Sequence, residues 1–225
     1  MKTEEYAILV AGGKGTRIKS VVPKQFLLLG GKPILLHTIE AFYRYSEKII
    51  VIVVLPEDDF DKWNSIIHDF QFTRPVILQQ GGDSRFQSVK KGLEKIEGDG
   101  LVAIHDGVRP LVNTAIINTS FRMAALHKSA VASVALKESI RMKNGDETKA
   151  MDRSMFRLIQ TPQTFDVAMI KEAYQINEDS TLTDDASVAE RSGQKISLFE
   201  GSYENIKITT AEDLITAEAL MTKRS

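Results

Sequence analysis

Two apolar patterns alternate along this chain. Short unbroken runs are followed by stretches in which apolar positions recur every three or four residues. Tyr6-Ala7-Ile8-Leu9-Val10 runs into glycines and predicts a buried strand. Ile34, Leu35, Thr38, Ile39 and Phe42 then follow at helical spacing, with Pro33 at the first helical position. Ile49 to Leu55 is the longest apolar run. It is rich in β-branched residues and has no polar interruption, which predicts a strand covered on both faces, as in a parallel sheet. Pro56-Glu57-Asp58-Asp59 opens a helix with acids in its first turn. Val76 to Leu78 and Leu101 to Ile104 read as strands. Phe86, Val89, Leu93 and Ile96, and later Ile116, Ile117, Phe121 and Ala124, read as apolar helix faces. Ala130 to Leu136 is a further strand.

This β-α alternation predicts an α/β protein with a doubly wound, mostly parallel sheet and helices on both faces. Right-handed crossovers follow from strand twist. No Pro, Gly or Ser-rich linker divides the chain, so the expectation is one domain over residues 1–225. The rhythm lapses between Lys137 and Phe165, where apolar residues thin out and Asn144-Gly145-Asp146 signals a turn between two strands. That stretch is expected to leave the body as a projecting β-hairpin arm. A contact with a second subunit and a plain surface hairpin fit it equally. The rhythm resumes with a helix around Val167, Ile170 and Tyr174, a strand from Ile196 to Phe199 and a last helix after Thr210.

Composition narrows the class. The 225 residues are 43% hydrophobic and 26% charged, values of an ordinary globular protein that needs no disulfides. Lys plus Arg number 29 and Asp plus Glu 30, a balance that points away from nucleic acid and from membrane surfaces as general partners. Cysteine is absent, which excludes thiolate catalysis and Cys zinc sites. The start, Met1-Lys2-Thr3-Glu4-Glu5, is too acidic for a signal n-region, and no apolar run has the length of a membrane span. The expectation is a soluble, cytoplasmic protein.

Candidate chemistry gathers behind the strands. Ala11-Gly12-Gly13-Lys14-Gly15-Thr16-Arg17 follows the first strand, and Lys14, Arg17, Lys19 and Lys24 crowd it with positive charge. Glycines there let a backbone approach phosphate and offer N–H groups to it. The position three after Gly15 is Ile18, so the dinucleotide fingerprint fails, and no Walker pattern occurs. A triphosphate loop and a tight turn with solvated lysines both fit the remainder. Gly81-Gly82-Asp83-Ser84-Arg85 opens a helix, where an anion or base edge can meet free N–H groups, or where Asp83 or Ser84 is simply an N-cap. His105-Asp106-Gly107-Val108-Arg109-Pro110 ends a strand. Asp106 there suits Mg²⁺, directly or through water, or an ion pair with Arg109. Thr183 as N-cap, with Asp184 and Asp185 in the first turn, accounts structurally for Thr183-Asp184-Asp185. The histidines lack metal spacing, and His105 reads as a satisfied polar residue.

Taken in order, these motifs are specific. With Pro23-Lys24-Gln25-Phe26, Gln160-Thr161-Pro162-Gln163, Thr183-Asp184-Asp185-Ala186-Ser187 and Asn205-Ile206-Lys207-Ile208-Thr209 they resemble the 2-C-methyl-D-erythritol 4-phosphate cytidylyltransferases of the non-mevalonate isoprenoid pathway, over essentially the whole chain. The resemblance implies a Rossmann-like nucleotidyltransferase fold, CTP and a sugar-alcohol phosphate as substrates, Mg²⁺, and a homodimer whose arm reaches the partner's site. By that resemblance Arg17 and Lys24 stabilise the transition state, and Arg153 and Lys207 hold and aim the acceptor phosphate. Ala11, Gly12, Gly13, Gly15, Gly82, Asp83 and Ser88 match the nucleotide pocket. Asp106, Arg109, Ser139 and Thr183 match the acceptor and magnesium region. The family often has Ala-Ala-Gly where this chain has Ala11-Gly12-Gly13, His-Asp-Ala for His105-Asp106-Gly107, and Thr at Ser139. Ribitol 5-phosphate cytidylyltransferases share the first departure, so ribitol phosphate is the alternative acceptor. A non-catalytic CTP sensor on the same fold is the alternative of another class.

Overall fold

The computed structural model describes residues 3–13 and 22–224. Its elements in chain order are β1 (Glu5–Val10), β2 (Leu28–Leu29), β3 (Lys32–Pro33), α1 (Ile34–Tyr45), β4 (Ile50–Leu55), α2 (Phe60–Asp69), β5 (Ile77–Gln80), α3 (Arg85–Glu94), β6 (Leu101–Asp106), α4 (Thr114–His127), β7 (Ser129–Ala135), β8 (Ile140–Asn144), β9 (Glu147–Met151), β10 (Arg157–Asp166), α5 (Val167–Ala173), α6 (Asp185–Arg191), β11 (Leu198–Glu200) and α7 (Ala211–Arg224).

Seven strands form the central sheet in the order β11-β7-β10-β6-β1-β4-β5. β1 pairs parallel with β4 and β6, β4 with β5, and β7 with β11. Only β10 runs against its neighbours, β6 and β7. Strand alternation sorts the core into two layers. Ala7, Leu9, Val51 and Val53 face one way and pack with Leu35, Ile39 and Phe42 of α1, Trp63 of α2 and Phe121 of α4. Tyr6, Ile8, Ile52 and Val54 face the other way, onto Phe86, Val89 and Leu93 of α3 and Ile170 of α5. Both faces are covered, so the apolar β4 run predicted from its composition is a central parallel strand.

The strand order reverses at β1. The chain steps from β1 to β4 and β5, then returns to place β6 on β1's other side. Loops after β1 and β6 therefore diverge, and a crevice opens at their carboxyl ends. Register makes those ends level: Val10 pairs with both Val54 and Asp106.

Several expectations need correction. Pro33 is the N-cap of α1 and not its first helical residue. The acids after β4 form a 3-10 turn, Glu57–Asp59, ahead of α2. Asp184, not Thr183, caps α6: its side chain accepts from Ser187 N, and the Ser187 hydroxyl accepts in turn from Asp184 N, a capping box. Between the two possible caps of α3, Ser84 is the one used, accepting from Gln87 N at 3.0 Å. The excursion also ends earlier than Phe165. The predicted hairpin is present as β8 and β9, but β10 belongs to the central sheet. β10 escaped notice because its buried positions are polar. Gln160 donates to Ser202 O, Thr164 to Ser120 Oγ, and Gln163 both donates to Asp184 and accepts from Ala186 N. Each polar group is satisfied, so burial carries little penalty.

An ion pair with a fully buried carboxylate and a partly exposed guanidinium ties α6 to α3. Arg85 Nη1 and Nη2 donate to the two oxygens of Asp185, at 2.8 and 2.6 Å, and Tyr174 Oη donates to Asp185 Oδ1 at 2.6 Å. The Tyr174 ring packs 4.7 Å from Phe86. Burial disfavours charge on Arg85, but the Asp185 carboxylate outweighs it and raises the guanidinium's pKa. Removing one partner leaves the other charge uncompensated. Asp185→Ala is expected to cost about 3 kcal/mol in equilibrium urea denaturation. A loss below about 1 kcal/mol, the range of an exposed pair, would show that solvent screens it.

Candidate active site

The crevice at the reversal point is a pocket of about 670 Å³. Each wall comes from the carboxyl end of a strand. Val10, Ala11, Gly12 and Gly13 follow β1, Pro56 and Glu57 follow β4, Gln80 to Arg85 follow β5, and Asp106 and Val108 end β6. Lys24, Ser88 and Lys207 complete the lining.

The glycine walls are tightly held. Gly107 N donates to Val10 O at 2.9 Å, and Ala11 N to Val54 O at 3.0 Å. A Cβ on Gly107 would come within 2.9 Å of Ala11 Cβ and 3.0 Å of Leu35 Cδ1. A side chain at 107 would therefore have to displace one of these neighbours. On the opposite wall Ser88, on α3, accepts from Gly82 N at 3.1 Å, and Lys91 donates to Gly81 O at 2.8 Å. The wall ends at the N-terminus of α3, where the helix dipole favours negative charge.

Asp106 is the electrostatic centre. It is 6% exposed. Oδ2 accepts from Arg109 Nε at 2.9 Å and Oδ1 from Lys207 Nζ at 3.2 Å. Burial alone would raise its pKa, but Arg109, Lys207 and Arg85 outweigh it and hold the carboxyl well below the usual range. Arg109 is steadied by its Nη1, which donates to Asn205 O at 2.8 Å. Lys207 sits between two buried anchors. Asn205 donates to Thr161 O at 2.8 Å, and Ile208 N donates to Val108 O at 2.9 Å. The motif around Lys207 is thus a strap from the middle of β10 to the turn after β6.

His105 lies behind Asp106 and is fully buried, edge-on to Phe42. Its Nε2 faces Arg109 O at 3.3 Å, and a carbonyl only accepts, so Nε2 carries the proton. Nδ1 then accepts from Thr161 Oγ1 at 2.9 Å, and Thr161 Oγ1 accepts from Asp106 N at 3.1 Å. Burial pushes the His105 pKa down to about 4. The histidine is the satisfied polar residue that its sequence context indicated.

The pocket lining unites Ala11, Gly12, Gly13, Lys24, Gly82, Asp83, Ser88, Asp106 and Lys207. Arg109 joins through Asp106. Lys14, Gly15, Thr16, Arg17 and Lys19 lie outside the described residues. Ser139, Arg153 and Thr183 are exposed and do not line this pocket. Arg153 donates from Nη1 to the Lys137 carbonyl at the root of the arm. Arg85 lines the pocket but carried no assigned role in the sequence, because its partner Asp185 is 100 residues away.

Among the described residues no three His, Cys, Asp or Glu side chains converge as a metal cage. The carboxylates lining the pocket are Glu57, Asp83 and Asp106. That donor set fits Mg²⁺, which keeps several waters and is usually held by one or two carboxylates together with substrate phosphates. No helix among the described residues is long and apolar enough to cross a membrane.

Comparison with known proteins bears on the same pocket. The family model described as 2-C-methyl-D-erythritol 4-phosphate cytidylyltransferase matches residues 6–223. The protein of that name from Bacteroides fragilis is 43% identical over 215 residues, covering 96% of this chain and 98% of the relative. Its namesake from Clostridium acetobutylicum is 39% identical, covering 97% and 98%. Among solved structures, the 4-diphosphocytidyl-2C-methyl-D-erythritol synthase of Anaerococcus prevotii superposes with a TM-score of 0.84 at 27% identity, covering 98% of this chain and 96% of that one. The 2-C-methyl-D-erythritol 4-phosphate cytidylyltransferase of Thermus thermophilus superposes at 0.75 with 28% identity, covering 99% and 100%. A match this long, at this identity, on a sheet whose reversal point carries the glycine walls and the Lys24, Asp106 and Lys207 side chains, leads to one statement: the chain belongs to the 2-C-methyl-D-erythritol 4-phosphate cytidylyltransferase family.

Proposed function

We propose that this enzyme transfers the cytidylyl group of CTP to 2-C-methyl-D-erythritol 4-phosphate, giving 4-diphosphocytidyl-2-C-methyl-D-erythritol and pyrophosphate in isoprenoid biosynthesis. The observation that carries the mechanism is the convergence of Lys24, Lys207 and two glycine walls on one pocket. An acceptor phosphate oxygen attacks the α-phosphorus of CTP in line. The new P–O bond forms as the bond from that phosphorus to the bridging oxygen breaks, and pyrophosphate leaves with the electron pair. Both reactants are anions, so fixed cations must offset their repulsion and the charge of the transition state. Lys24 and Arg17 serve the triphosphate, and Lys207, with Arg109 beside it, serves the acceptor. Ala11, Gly12, Gly13, Gly15, Gly82, Asp83 and Ser88 hold the nucleotide. No side chain becomes a nucleophile, and positioning supplies most of the rate. Mg²⁺, held by triphosphate oxygens with Asp106 directly or through water, would neutralise charge as the leaving group departs.

The remaining matched residues point to a homodimer. Residues 1–225 are read as one cytidylyltransferase domain with a dimerisation arm within 137–165. Along and below the arm Met155, Phe156, Leu158 and Ile159 are exposed, Met155 at 79%, an apolar row that suits a second subunit. Arg153 and Ser139, away from their own chain's pocket, then serve the partner's site, while Thr183 meets the acceptor from the loop before α6. The same reading makes the enzyme cytoplasmic.

Pyrophosphate release with CTP, Mg²⁺ and each of methylerythritol 4-phosphate, ribitol 5-phosphate and no acceptor tests the assignment. Preference for ribitol phosphate would transfer it to that alternative, and CTP binding without turnover to a sensor. Lys24→Ala is expected to keep CTP affinity within about threefold and lose at least about a hundredfold in kcat. Weaker binding with unchanged kcat would remove its transition-state role. Arg153→Ala should raise the acceptor KM. At acceptor concentrations well below the raised KM, mixing equal amounts of Arg153→Ala and Lys24→Ala subunits should restore about a quarter of wild-type activity, as random pairing makes half the dimers mixed, each with one intact site. No recovery would mean that Arg153 acts within its own chain. The pH profile should report the acceptor. Asp106 stays ionised, and His105, with its pKa at about 4, is neutral above that value. The phosphate monoester loses its second proton near pH 6, so kcat/KM should fall roughly tenfold per unit below about pH 6. An acid limb near 4 would place the titration on the protein.

A further inference from the structure

Of Pro23-Lys24-Gln25-Phe26, only Lys24 has a part in the transfer. Lys24 stands on a single 3-10 turn, Lys24–Phe26, whose N-cap Pro23 makes no side-chain cap bond. One such turn has no cooperative stability of its own, so tertiary anchors must set its orientation. Phe26 is one anchor, buried in the layer beneath α1. Gln25 is the second. It is 1% exposed, and its Nε2 donates to Asp59 Oδ2 over 2.6 Å.

Asp59 closes the Glu57–Asp59 turn behind β4, its own N–H donating to Pro56 O at 3.1 Å. Pro56 and Glu57 line the same pocket as Lys24. The buried bond therefore joins the turn that carries the cation to a neighbouring pocket wall. The fit it maintains is close: a Cβ on Gly13 would lie 3.1 Å from both Cε and Nζ of Lys24. The ammonium rests against the glycine wall, and a shift of the turn would move it off.

Stability does not explain this glutamine. Its Oε1 is buried with no hydrogen-bond partner among the described residues, and the bond it does make draws a carboxylate out of water. Both features are destabilising, and replacing the two residues together by apolar side chains of similar volume would avoid them. Polar groups kept against stability are expected where function needs them.

We propose that Gln25 and Asp59 are a positioning pair that aims Lys24 at the α-phosphate. The inference rests on the cytidylyltransferase reading above for what Lys24 does, and not for where Lys24 lies. The test compares kcat, KM for CTP and melting temperature across three variants. Gln25→Met keeps the volume and removes the bond. It should still fold, with a lower melting temperature because the buried Asp59 carboxylate loses its donor, keep the CTP KM within about twofold and lose about tenfold or more in kcat. Gln25→Glu sets two carboxylates against each other. Its kcat should be low at pH 8 and recover towards acid, relative to wild type, as the pair shares a proton. Adding Asp59→Asn to Gln25→Glu reverses donor and acceptor and should rescue kcat at pH 8. Wild-type kcat in folded Gln25→Met, or no rescue by the reversed pair, would overturn the proposal. If Gln25→Met fails to fold, the Glu and Glu/Asn comparison decides alone. Crystal structures of wild type and Gln25→Glu give a readout independent of turnover, because Lys24 unmoved against Gly13 in the variant also overturns it. An inactive wild type would sink the reaction assignment and leave that structural comparison to judge the pair.

Discussion

A carboxylate taken out of water sets the geometry of this pocket. Asp106 tolerates burial because Arg109 and Lys207 each donate to one of its oxygens. The same bonds immobilise the two cations, which would otherwise be long side chains free to turn into solvent. Their anchors follow from that requirement: Asn205 O for Arg109, and Asn205 with Ile208 on either side of Lys207. Behind the carboxylate, the chain from Asp106 N through Thr161 to His105 has a defined hydrogen-bond direction, which ends at Arg109 O. The neutral histidine works as a spacer with one donor and one acceptor.

The antiparallel β10 makes this arrangement possible. Running against β6, it brings Gln160 and Thr161 beside the carboxyl end of a strand that a parallel neighbour would have met with its own loop. Its polar side chains then satisfy α6, the Asn205 strap and α4 from within the core. The same strand leads back from the exposed hairpin, so the arm and the strand beside Asp106 belong to one continuous segment.

On the wall behind β5 the design differs. The N–H groups of Gly81, Gly82 and Asp83 are spent on Leu55 O, Ser88 Oγ and Gln87 Oε1, and glycine stands where neighbouring atoms leave no room for Cβ, as at Gly82 against Gln87. Charge also enters the pocket through Lys24 and through Arg85, whose guanidinium is held by Asp185. The Thr-Asp-Asp motif thus divides its work: Asp184 caps α6, Asp185 braces Arg85, and Thr183 remains exposed before the helix.

Much of the architecture was legible in the chain because it depends on periodicity and local chemistry. The apolar runs of β1, β4 and β6, the helical stripes of α1, α3 and α4, and the Asn144-Gly145-Asp146 turn each record their own environment within about ten residues. The glycine motifs and Asp106 were legible for a related reason, since they stand at strand ends where a doubly wound sheet binds ligands. β10 was not legible as a core strand, because its buried residues are polar and their partners are distant. The same holds for the pairings of Arg85 with Asp185, 100 residues apart, Lys207 with Asp106, 101 apart, and Gln25 with Asp59, 34 apart. Local pattern specifies which elements form and which face they bury. Which charges meet is decided only when the sheet closes, because a buried ion pair is a property of two positions and neither sequence neighbourhood contains the other.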